Sequence, residues 1–306
     1  MRGPGVPFSI FIGHASPDRA GAHPYHATLT PFGHLPREQA RRLFYIGTQA
    51  SSLCYSGQMT RPLISLIVPA WNDDELVVDL VSSLQVSAGL AEWVVAAVRP
   101  GEALCELHRQ GIIRLISCDT PSRGRQMNAG AAEARGLLLC FHHADSELRP
   151  EHLSALEQTA RNDAIFGGAF YRRFEDPRAF VVFWQGVVRR INSLAGPLFG
   201  DQSIFVRASV FERLGGFADI PLMEDIEFSR RLRRLGRTVL LDPPLRSSLR
   251  RFRRLGNWRT TLLNGTFISL FYLGVGPYTL HRWYYRRFWR SSDRATGVDE
   301  PSRKAE

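Results

Sequence analysis

Four short polar clusters contain most of the side chains that are equipped for chemistry. They span residues 69–75, 142–145, 200–202 and 222–225, and each adjoins an apolar run or a helical pattern. Carboxylate, imidazole and amide groups of this kind bind cations, accept protons and form hydrogen bonds to polar ligands. The clusters are therefore the first candidates for a functional site.

A basic cluster opens the Ala-rich segment that follows residue 122. Arg123, Arg125 and Asn128 stand at its start, beside Gly124. A helix N-terminus and an arginine fork both suit a diphosphate group. A solvated helix start is the alternative interpretation.

The composition indicates a globular chain with an anion-attracting surface. The 306 residues are 44% hydrophobic and 22% charged, which excludes a wholly disordered, collagenous or polytopic membrane protein. The net charge is +10, and Lys304 is the only lysine among 39 basic residues. Such a surface attracts nucleotides, phosphates or acidic lipids, although a solvated basic surface without a dedicated ligand is the alternative.

The four cysteines, Cys54, Cys105, Cys118 and Cys140, show no CxxC or CxxxC spacing. This pattern argues against a zinc site or a disulfide framework and fits a reducing cytosol. Cys140 lies inside an apolar run and is predicted to be a small core residue.

Alternating apolar runs and helical periodicity indicate the elements that must position these clusters. The predicted strands are 64–68 (ending at Pro69), 93–98, 112–116, 137–141 and 203–206; the predicted helices are 76–84, 124–135 and 151–161. This βαβ pattern predicts an α/β fold with a mostly parallel sheet and helices on both faces. Ligands bind beyond the carboxyl ends of such strands, where the polar clusters stand.

In this order the motifs resemble those of the family 2 glycosyltransferases, whose GT-A fold is a Rossmann-like, nucleotide-sugar-binding sheet. The matching elements are the Pro-x-x-Asn opening, residues 125–130, the His-Ala-Asp motif, the Gly-Asp-Gln motif and the Glu-Asp pair. The sequence looks closest to a bacterial subgroup named for arsenosugar biosynthesis. The resemblance covers roughly residues 63 to 288.

The resemblance implies a divalent metal ion, Mg²⁺ or Mn²⁺, at the His-Ala-Asp motif. Asp145 is the predicted ligand, because a carboxylate-bound ion neutralises the diphosphate as it departs. The family usually has an Asp-x-Asp motif, and His143 stands in place of its first Asp. His143 is expected to be a metal ligand, to hydrogen-bond to a metal ligand, or to contact phosphate. A remote cap of the helix at 151–161 is the structural alternative for Asp145.

The resemblance also assigns the general base of an inverting transfer to Asp225. An apolar stripe of Phe228, Leu232 and Leu235 follows it, which places the carboxylate at a helix N-terminus. Glu224 is expected to orient or bind the acceptor. A plain helix cap is the alternative for Asp225.

The remaining site residues follow from the same resemblance. The donor would be bound by Pro69, Ala70, Asn72, Arg123, Arg125, Asn128, Arg250 and Arg251, and the acceptor or sugar side by Asp201 and Gln202. Family members usually have an Asp after the second strand that contacts the nucleotide base. Residues 95–102 contain none, so the base stays unassigned.

The predicted organisation has four parts. Residues 1–58 are expected to be a disordered extension or a misassigned start, 59–245 the GT-A domain, 246–290 a basic and aromatic helical segment, and 291–306 a disordered tail. The segment 246–290 packs on the domain or lies on an anionic membrane. The expected location is the cytoplasm, with peripheral attachment to the inner face of the plasma membrane as an alternative.

The sequence thus predicts a glycosyltransferase, inverting by resemblance, that uses a nucleotide-diphospho-sugar donor and an acceptor it does not identify. A non-catalytic nucleotide- or anionic-membrane-binding protein of the same fold and a nucleotidyltransferase are the alternatives. No RNA- or DNA-binding signature accompanies the charge, so nucleic acid is not an expected partner.

Overall fold

A computed structural model describes residues 61–87, 89–173, 196–246 and 257–288, with side chains described for 263–284 of the last range. The predictions for residues 1–58 and 291–306, and for Arg250 and Arg251, lie outside the described residues. The predicted α/β fold class is confirmed: a mostly parallel sheet has helices on both faces.

Seven described strands form one sheet in the order β3-β2-β1-β4-β6-β5-β7. The strands are β1 (Ile64–Trp71), β2 (Ala91–Val98), β3 (Ile113–Cys118), β4 (Leu138–Phe141), β5 (Gly167–Arg173), β6 (Phe205–Arg207) and β7 (Thr238–Arg246). Both pairings of β6, with β4 and with β5, are antiparallel, and all other neighbours are parallel.

Eight helices accompany the sheet within the described residues. They are α1 (Asp74–Ser83), α2 (Glu102–Arg109), α3 (Arg123–Glu133), α4 (Pro150–Ala160), α5 (Ala208–Leu214), α6 (Glu224–Leu235), α7 (Asn257–Tyr272) and α8 (Pro277–Phe288). A short 3₁₀ turn, Gly200–Gln202, precedes β6.

Side-chain alternation along β1 divides the core into two layers. Leu66 and Val68 face one layer, where α1, α2 and α4 pack. Ile67 faces the other layer, where α3, α5 and α6 pack. Because β1 is covered on both faces, it reads as an almost continuous apolar run in the sequence.

The strand β1 does not end at Pro69, as predicted, but continues to Trp71. The backbone amide of Ile64 points toward β2, and the backbone carbonyl of Ile67 points toward β4. The backbone N–H and C=O groups of odd-numbered β1 residues therefore point toward β4. The pairing between β1 and β4 ends at Phe141, opposite Ile67. Pro69 therefore lies where β1 has an open edge on that side, and its missing N–H removes no ladder hydrogen bond.

The other predicted strands and helices are present with ends shifted by at most two residues, which is ordinary for element boundaries. Two strands were not predicted, β5 and β7. Gly167 and Gly168 open β5, and Pro243 and Pro244 lie within β7, so both segments read as turns. The prolines are tolerated because β7 is an edge strand.

The last two helices form a hairpin whose inner face is buried. Phe267 of α7 and Leu280 of α8 are buried, and the Phe267 and Tyr284 rings pack edge to face with centroids 5.6 Å apart. None of the helices in the described ranges combines the length and the apolar character needed to cross a bilayer.

Candidate functional site

The chain order places a crevice between β1 and β4. From β1 the chain proceeds outward to β2 and β3 and then returns to form β4 on the other side of β1. The carboxyl ends of these two parallel strands, at Trp71 and Phe141, flank the point where the strand order reverses. Open α/β sheets bind ligands at this position.

The antiparallel strand β6 adds a third chain segment to the same edge. The Phe141 amide donates to the Ile204 carbonyl at 2.8 Å, so the residues preceding β6 lie beside those following β4. The Gly-Asp-Gln motif forms the 3₁₀ turn immediately before this contact. Two clusters about 60 residues apart in the sequence are thereby brought together.

His142 is the buried link between these two segments. Its Nδ1 lies 2.6 Å from Ser203 Oγ, and its Nε2 lies 3.1 Å from the Ser146 carbonyl. A carbonyl only accepts, so Nε2 carries the proton and Nδ1 accepts from the Ser203 hydroxyl. Burial lowers the pKa of His142 to about 4, and the ring is neutral at physiological pH.

Asp225 lies in the first turn of α6, as predicted, and the 3₁₀ turn holds its carboxylate. The Gly200 amide donates to Oδ2 at 2.7 Å, and the Ile226 amide donates to Oδ1 at 2.8 Å. A Cβ at Gly200 would lie 3.0 Å from His143 Nε2 and 3.4 Å from Asp225 Oδ2. The absence of a side chain at Gly200 therefore lets the imidazole and the carboxylate approach the same backbone.

The surroundings of Asp225 favour a proton-accepting carboxylate. Burial, and after it the neighbouring Glu224 carboxylate, raise its pKa to about 6. The two backbone amides and the Arg123 guanidinium act in the opposite direction. A carboxyl with this pKa is mostly ionised at neutral pH and is more basic than an ordinary aspartate.

The Gly-Asp-Gln turn is held by its own side chains. Arg172, at the end of β5, forms an ion pair with Asp201 Oδ2, whereas Asp201 Oδ1 is buried without a hydrogen-bond partner. The buried Gln202 accepts a hydrogen bond from the Phe199 amide at 3.0 Å. Gln202 thus stabilises the turn, and Asp201 stays a candidate for the acceptor or sugar side.

The start of α3 also lies at this edge. Arg123, its first residue, is exposed and close enough to Asp225 to lower the pKa of that carboxyl. Arg125 instead forms a bidentate ion pair with Asp219, with Nε to Oδ1 at 2.8 Å and Nη2 to Oδ2 at 2.6 Å. Arg123 therefore lies on the same side as Asp225, whereas the Arg125 guanidinium is paired with the Asp219 carboxylate.

Two polar residues of α3 have structural partners. Asn128 donates to the Phe217 carbonyl at 2.9 Å and accepts from the Phe217 amide at 2.8 Å. Gln126 is buried and donates to the carbonyls of Ala70 and Ala96 at 2.8 Å. The predicted donor-binding role of Asn128 therefore competes with a contact that uses both ends of its amide.

The loop after β1 places the other predicted donor residues at the same edge. Pro69 and Ala70 are buried in β1, and the Ala70 carbonyl is taken by Gln126. Asn72 is exposed and has a positive φ of 57°, which turns the chain out of β1 into α1. Of these three side chains, only that of Asn72 is exposed to a ligand.

Asp145 lies on the opposite side of the β4 end from Asp225. Its exposed carboxylate borders a cavity of about 300 Å³ between the turn at 144–147 and α1, whose Asp79 and Ser83 line the far wall. His143 instead lies beside Gly200, whose amide donates to the Asp225 carboxylate. The structure thus separates the two residues of the predicted metal motif to the two sides of one strand end.

The protein side chains at this edge fit a metal ion only if oxygen atoms of a bound ligand complete its coordination. Within the described ranges, no group of three or more His, Cys, Asp or Glu side chains is arranged to hold a metal. Mg²⁺ is commonly bound by one or two carboxylates together with substrate phosphates and water. The exposed Asp145 carboxylate suits that arrangement, and a cage made of protein ligands does not form.

Three contacts in this region have no counterpart in the sequence motifs: Arg172 with Asp201, Asp219 with Arg125, and the bridge through His142. The only local signal is for His142, a second histidine beside the His-Ala-Asp motif. The two ion pairs join residues 29 and 94 positions apart, a separation that no local pattern indicates.

Comparison with known proteins shows the fold. The sequence matches no protein-family model and no curated protein. The mannosyltransferase PcManGT from Pyrobaculum calidifontis, solved with GDP-Man and Mn²⁺, is 17% identical with a TM-score of 0.52, over 86% of this chain and 85% of that chain. S. aureus TarS 1–349 is 12% identical with a TM-score of 0.48, over 77% and 75% of the two chains. The chain therefore has the GT-A-type fold.

Proposed function

We propose that this protein is an inverting glycosyltransferase that uses a nucleotide-diphospho-sugar donor. The observation that carries the proposal is the Asp225 carboxylate, which is held by two backbone amides and is raised in pKa by burial and by Glu224. It lies at the ligand-binding edge of a GT-A-type sheet. A base at this position suits an acceptor hydroxyl that approaches the edge.

In the proposed reaction, the acceptor oxygen attacks the anomeric carbon of the donor sugar and forms the new glycosidic bond. The bond from that carbon to the diphosphate oxygen breaks, and its electron pair leaves with the nucleoside diphosphate. The hydroxyl proton moves to the Asp225 carboxylate. Attack from the face opposite the leaving group inverts the anomeric centre.

The donor diphosphate is proposed to bind at the start of α3. The free amides of its first turn and the exposed Arg123 guanidinium present positive charge there. Asn72, and Arg125 once it is released from Asp219, complete this proposed donor side. The PcManGT structure, which contains GDP-Man and Mn²⁺, is consistent with a donor of this class.

A divalent ion is proposed to be held by Asp145 and the diphosphate oxygens, with His143 placed on the Asp225 side. When bound, such an ion neutralises the charge that develops on the departing diphosphate. Asp145 offers an exposed oxygen ligand for it. His143 then orients the Gly200 backbone and the phosphate rather than ligating the ion.

The two alternative functions predict different behaviour. A non-catalytic nucleotide-binding protein has no use for a carboxylate that is held and raised in pKa beside the donor edge. In a nucleotidyltransferase the nucleophile attacks the α-phosphorus, so a nucleotide sugar would release a sugar phosphate instead of a nucleoside diphosphate. Both alternatives are therefore decided by the products released from a nucleotide sugar.

The test measures turnover and donor binding of the parent protein and of two variants, with a panel of nucleotide sugars that includes GDP-mannose and UDP-GlcNAc, in the presence of Mn²⁺. Asp225→Asn should lower kcat by about 10²–10⁴-fold because the amide cannot accept a proton. Its donor affinity, measured by calorimetry, should change little. Asp145→Asn should instead weaken the Mn²⁺-dependent binding of the nucleotide.

Asp163→Asn is the matched control. Its exposed carboxylate pairs with Arg207, at the end of β6 that is remote from the site, and the substitution makes the same chemical change. Turnover by Asp225→Asn within about threefold of the parent would show that Asp225 is only a helix cap, since Asn caps nearly as well as Asp. Nucleotide-sugar binding without any turnover by the parent would favour the non-catalytic alternative.

A further inference from the structure

Four large apolar or aromatic side chains are exposed together on the α7–α8 hairpin. Tyr272 is 49%, Leu273 81%, Tyr278 68% and Trp283 46% exposed. We refer to these four residues as the hairpin patch. They occupy the end of α7, the turn after it, and the first two turns of α8.

The hairpin patch is not the inner, core-facing side of these helices. That side is already satisfied, because Phe267 and Leu280 are buried and Phe267 packs against Tyr284. Gly274 has a positive φ of 93° and turns the chain between the helices, which leaves Leu273 at the tip. The four exposed side chains are therefore apolar surface that the contact between the two helices does not use.

The charge of this part of the sequence has a single sign. Residues 243–292 contain ten arginines and no Asp or Glu. Within the described hairpin, Arg282 is exposed next to Trp283. An apolar surface set in a purely cationic stretch is complementary to an apolar layer bordered by anions.

We propose that the hairpin patch is a docking surface for an anionic lipid bilayer. Tyr and Trp rings place an apolar body in the interface and a polar group in water, and Leu273 at the tip inserts among the acyl chains. The exposed Arg282 attracts anionic headgroups, and the cationic composition of residues 243–292 adds to this attraction. The hairpin lies in the interface and does not cross it.

Charge complementarity distinguishes this occupant from a second copy of the chain. Self-association through the hairpin patch would bring two arginine-rich, acid-free stretches together, and like charges in contact oppose association. A bilayer with anionic headgroups meets the same surface with the opposite charge. The structure therefore favours a lipid surface over an isologous dimer.

The position of the hairpin links the membrane to the donor edge. Tyr278 Oη lies 3.4 Å from the Asp219 carbonyl, and the Asp219 side chain pairs with Arg125 at the start of α3. A bilayer under the hairpin patch would therefore lie beside the segment that holds Arg125. The lipid proposal rests on the exposed residues and the charge, and it does not depend on the proposed glycosyl transfer.

Co-sedimentation of the full-length protein with vesicles tests the proposal. Vesicles of phosphatidylcholine alone and vesicles with about one third phosphatidylglycerol provide neutral and anionic surfaces. The parent should bind the anionic vesicles and release them as salt rises, because screening weakens headgroup attraction. Leu273→Glu should weaken this binding by about tenfold or more. The substitution removes the apolar side chain that inserts into the bilayer and adds a negative charge that anionic headgroups repel.

Leu137→Glu is the matched control. Leu137 is 52% exposed at the amino end of β4, at the opposite edge of the sheet from the candidate site, and the substitution makes the same change in charge. It should bind anionic vesicles within about twofold of the parent. Nucleotide-sugar turnover, measured without vesicles, should be unchanged in both variants and reports on the enzyme proposal separately.

Three results would overturn the lipid proposal. The first is a parent protein that does not bind anionic vesicles. The second is an equal loss of binding in Leu137→Glu and Leu273→Glu, which would indicate attraction by net charge alone. In the third, gel filtration shows an oligomeric parent that Leu273→Glu converts to a monomer, which would assign the hairpin patch to a second copy of the chain. Circular dichroism on each variant confirms that it is folded.

Discussion

At Asp225, opposing influences set the affinity for a proton. Burial and the Glu224 carboxylate raise the pKa to about 6, whereas the amides of Gly200 and Ile226 and the charge of Arg123 hold it from rising further. The carboxylate is consequently ionised at neutral pH and yet basic enough to take a proton as a hydroxyl attacks. An isolated surface aspartate would be a weaker base.

This balance predicts a pH dependence of turnover. Below pH about 6, where Asp225 of the ligand-free protein becomes protonated, kcat/KM should fall toward a slope of about tenfold per pH unit. Glu224→Gln should move this acidic limb to lower pH, because it removes the second charge that raises the pKa of Asp225. The measurement is a kcat/KM profile from about pH 4.5 to 8, and Glu212→Gln, on the exposed face of α5, is the control. A limb that stays in place in Glu224→Gln would contradict the coupling of the two carboxylates.

His142 is a second residue whose charge state is set by burial. Its lowered pKa, about 4, means that the folded protein binds fewer protons there than the unfolded chain, where an ordinary histidine titrates near 6.5. Its contribution to stability is therefore present above pH about 6.5 and is lost as pH falls through about 4. Asp225 acts in the opposite sense, because its raised pKa favours the protonated folded form at mildly acidic pH.

His142→Leu should lower the free energy of unfolding by about 2–4 kcal/mol at pH 8, since Ser203 Oγ and the Ser146 carbonyl lose their buried partner. The destabilisation should shrink as pH falls toward 5, because the variant no longer has a buried imidazole to protonate. Urea unfolding at the two pH values measures both effects. Ser203→Ala, which removes one hydrogen bond and keeps the imidazole, should cost about 1 kcal/mol and retain the pH dependence. A pH-independent loss in His142→Leu would contradict this account.

At the scale of elements, the segment at 216–219 fastens onto the start of α3. Asn128 exchanges two hydrogen bonds with the Phe217 backbone, and Asp219 pairs with Arg125. Gly216 has a positive φ of 72°, and a Cβ there would lie 2.6 Å from Asn128 Oδ1. The segment thus fits α3 closely, and its Asp219 forms an ion pair with Arg125, a residue of the proposed donor side.

Asp219→Asn should therefore raise the affinity for a nucleoside diphosphate, because it removes the anion that competes for Arg125. The ion pair is more than half exposed, so water screens it strongly, and the gain in affinity should be no more than about fivefold. Calorimetry with GDP or UDP and Mn²⁺ measures it. Asp119→Asn, an equal change of charge on the exposed loop before α3, is the control. An equal gain in both variants would show a general charge effect, and a loss of affinity in Asp219→Asn would remove Arg125 from the donor site.

At the scale of the whole molecule, the sheet assembles the site from segments that are remote in the sequence. The strand order brings the loops after β1 and β4 to one edge, and the antiparallel β6 brings the Gly-Asp-Gln turn to them. α6 then places Asp225 against that turn from the layer that it shares with α3 and α5. The Asp225 carboxylate is positioned by the packing of three chain segments, so its geometry depends on the core beneath it.

The sequence alone was sufficient for the central strands and for the edge of the sheet at which the candidate residues lie. Strands β1, β2 and β4 are buried on both faces, and their continuous apolar runs are legible because burial leaves no alternating pattern. The polar clusters at their carboxyl ends then indicate the functional edge, since parallel strands end on the same side of a sheet. The position of Asp225 at a helix start followed from the apolar stripe of α6.

Only the tertiary structure decided the direction of β6, the presence of β5 and β7, and the partners of the site residues. Glycines and prolines hide β5 and β7 because their strand conformation is imposed by neighbouring strands rather than by local preference. The pairs Arg125–Asp219 and Arg172–Asp201 join residues far apart in the chain, as does the hydrogen bond from Gly200 to Asp225. Local periodicity reports which face of an element is buried, whereas these contacts depend on how whole elements pack against one another.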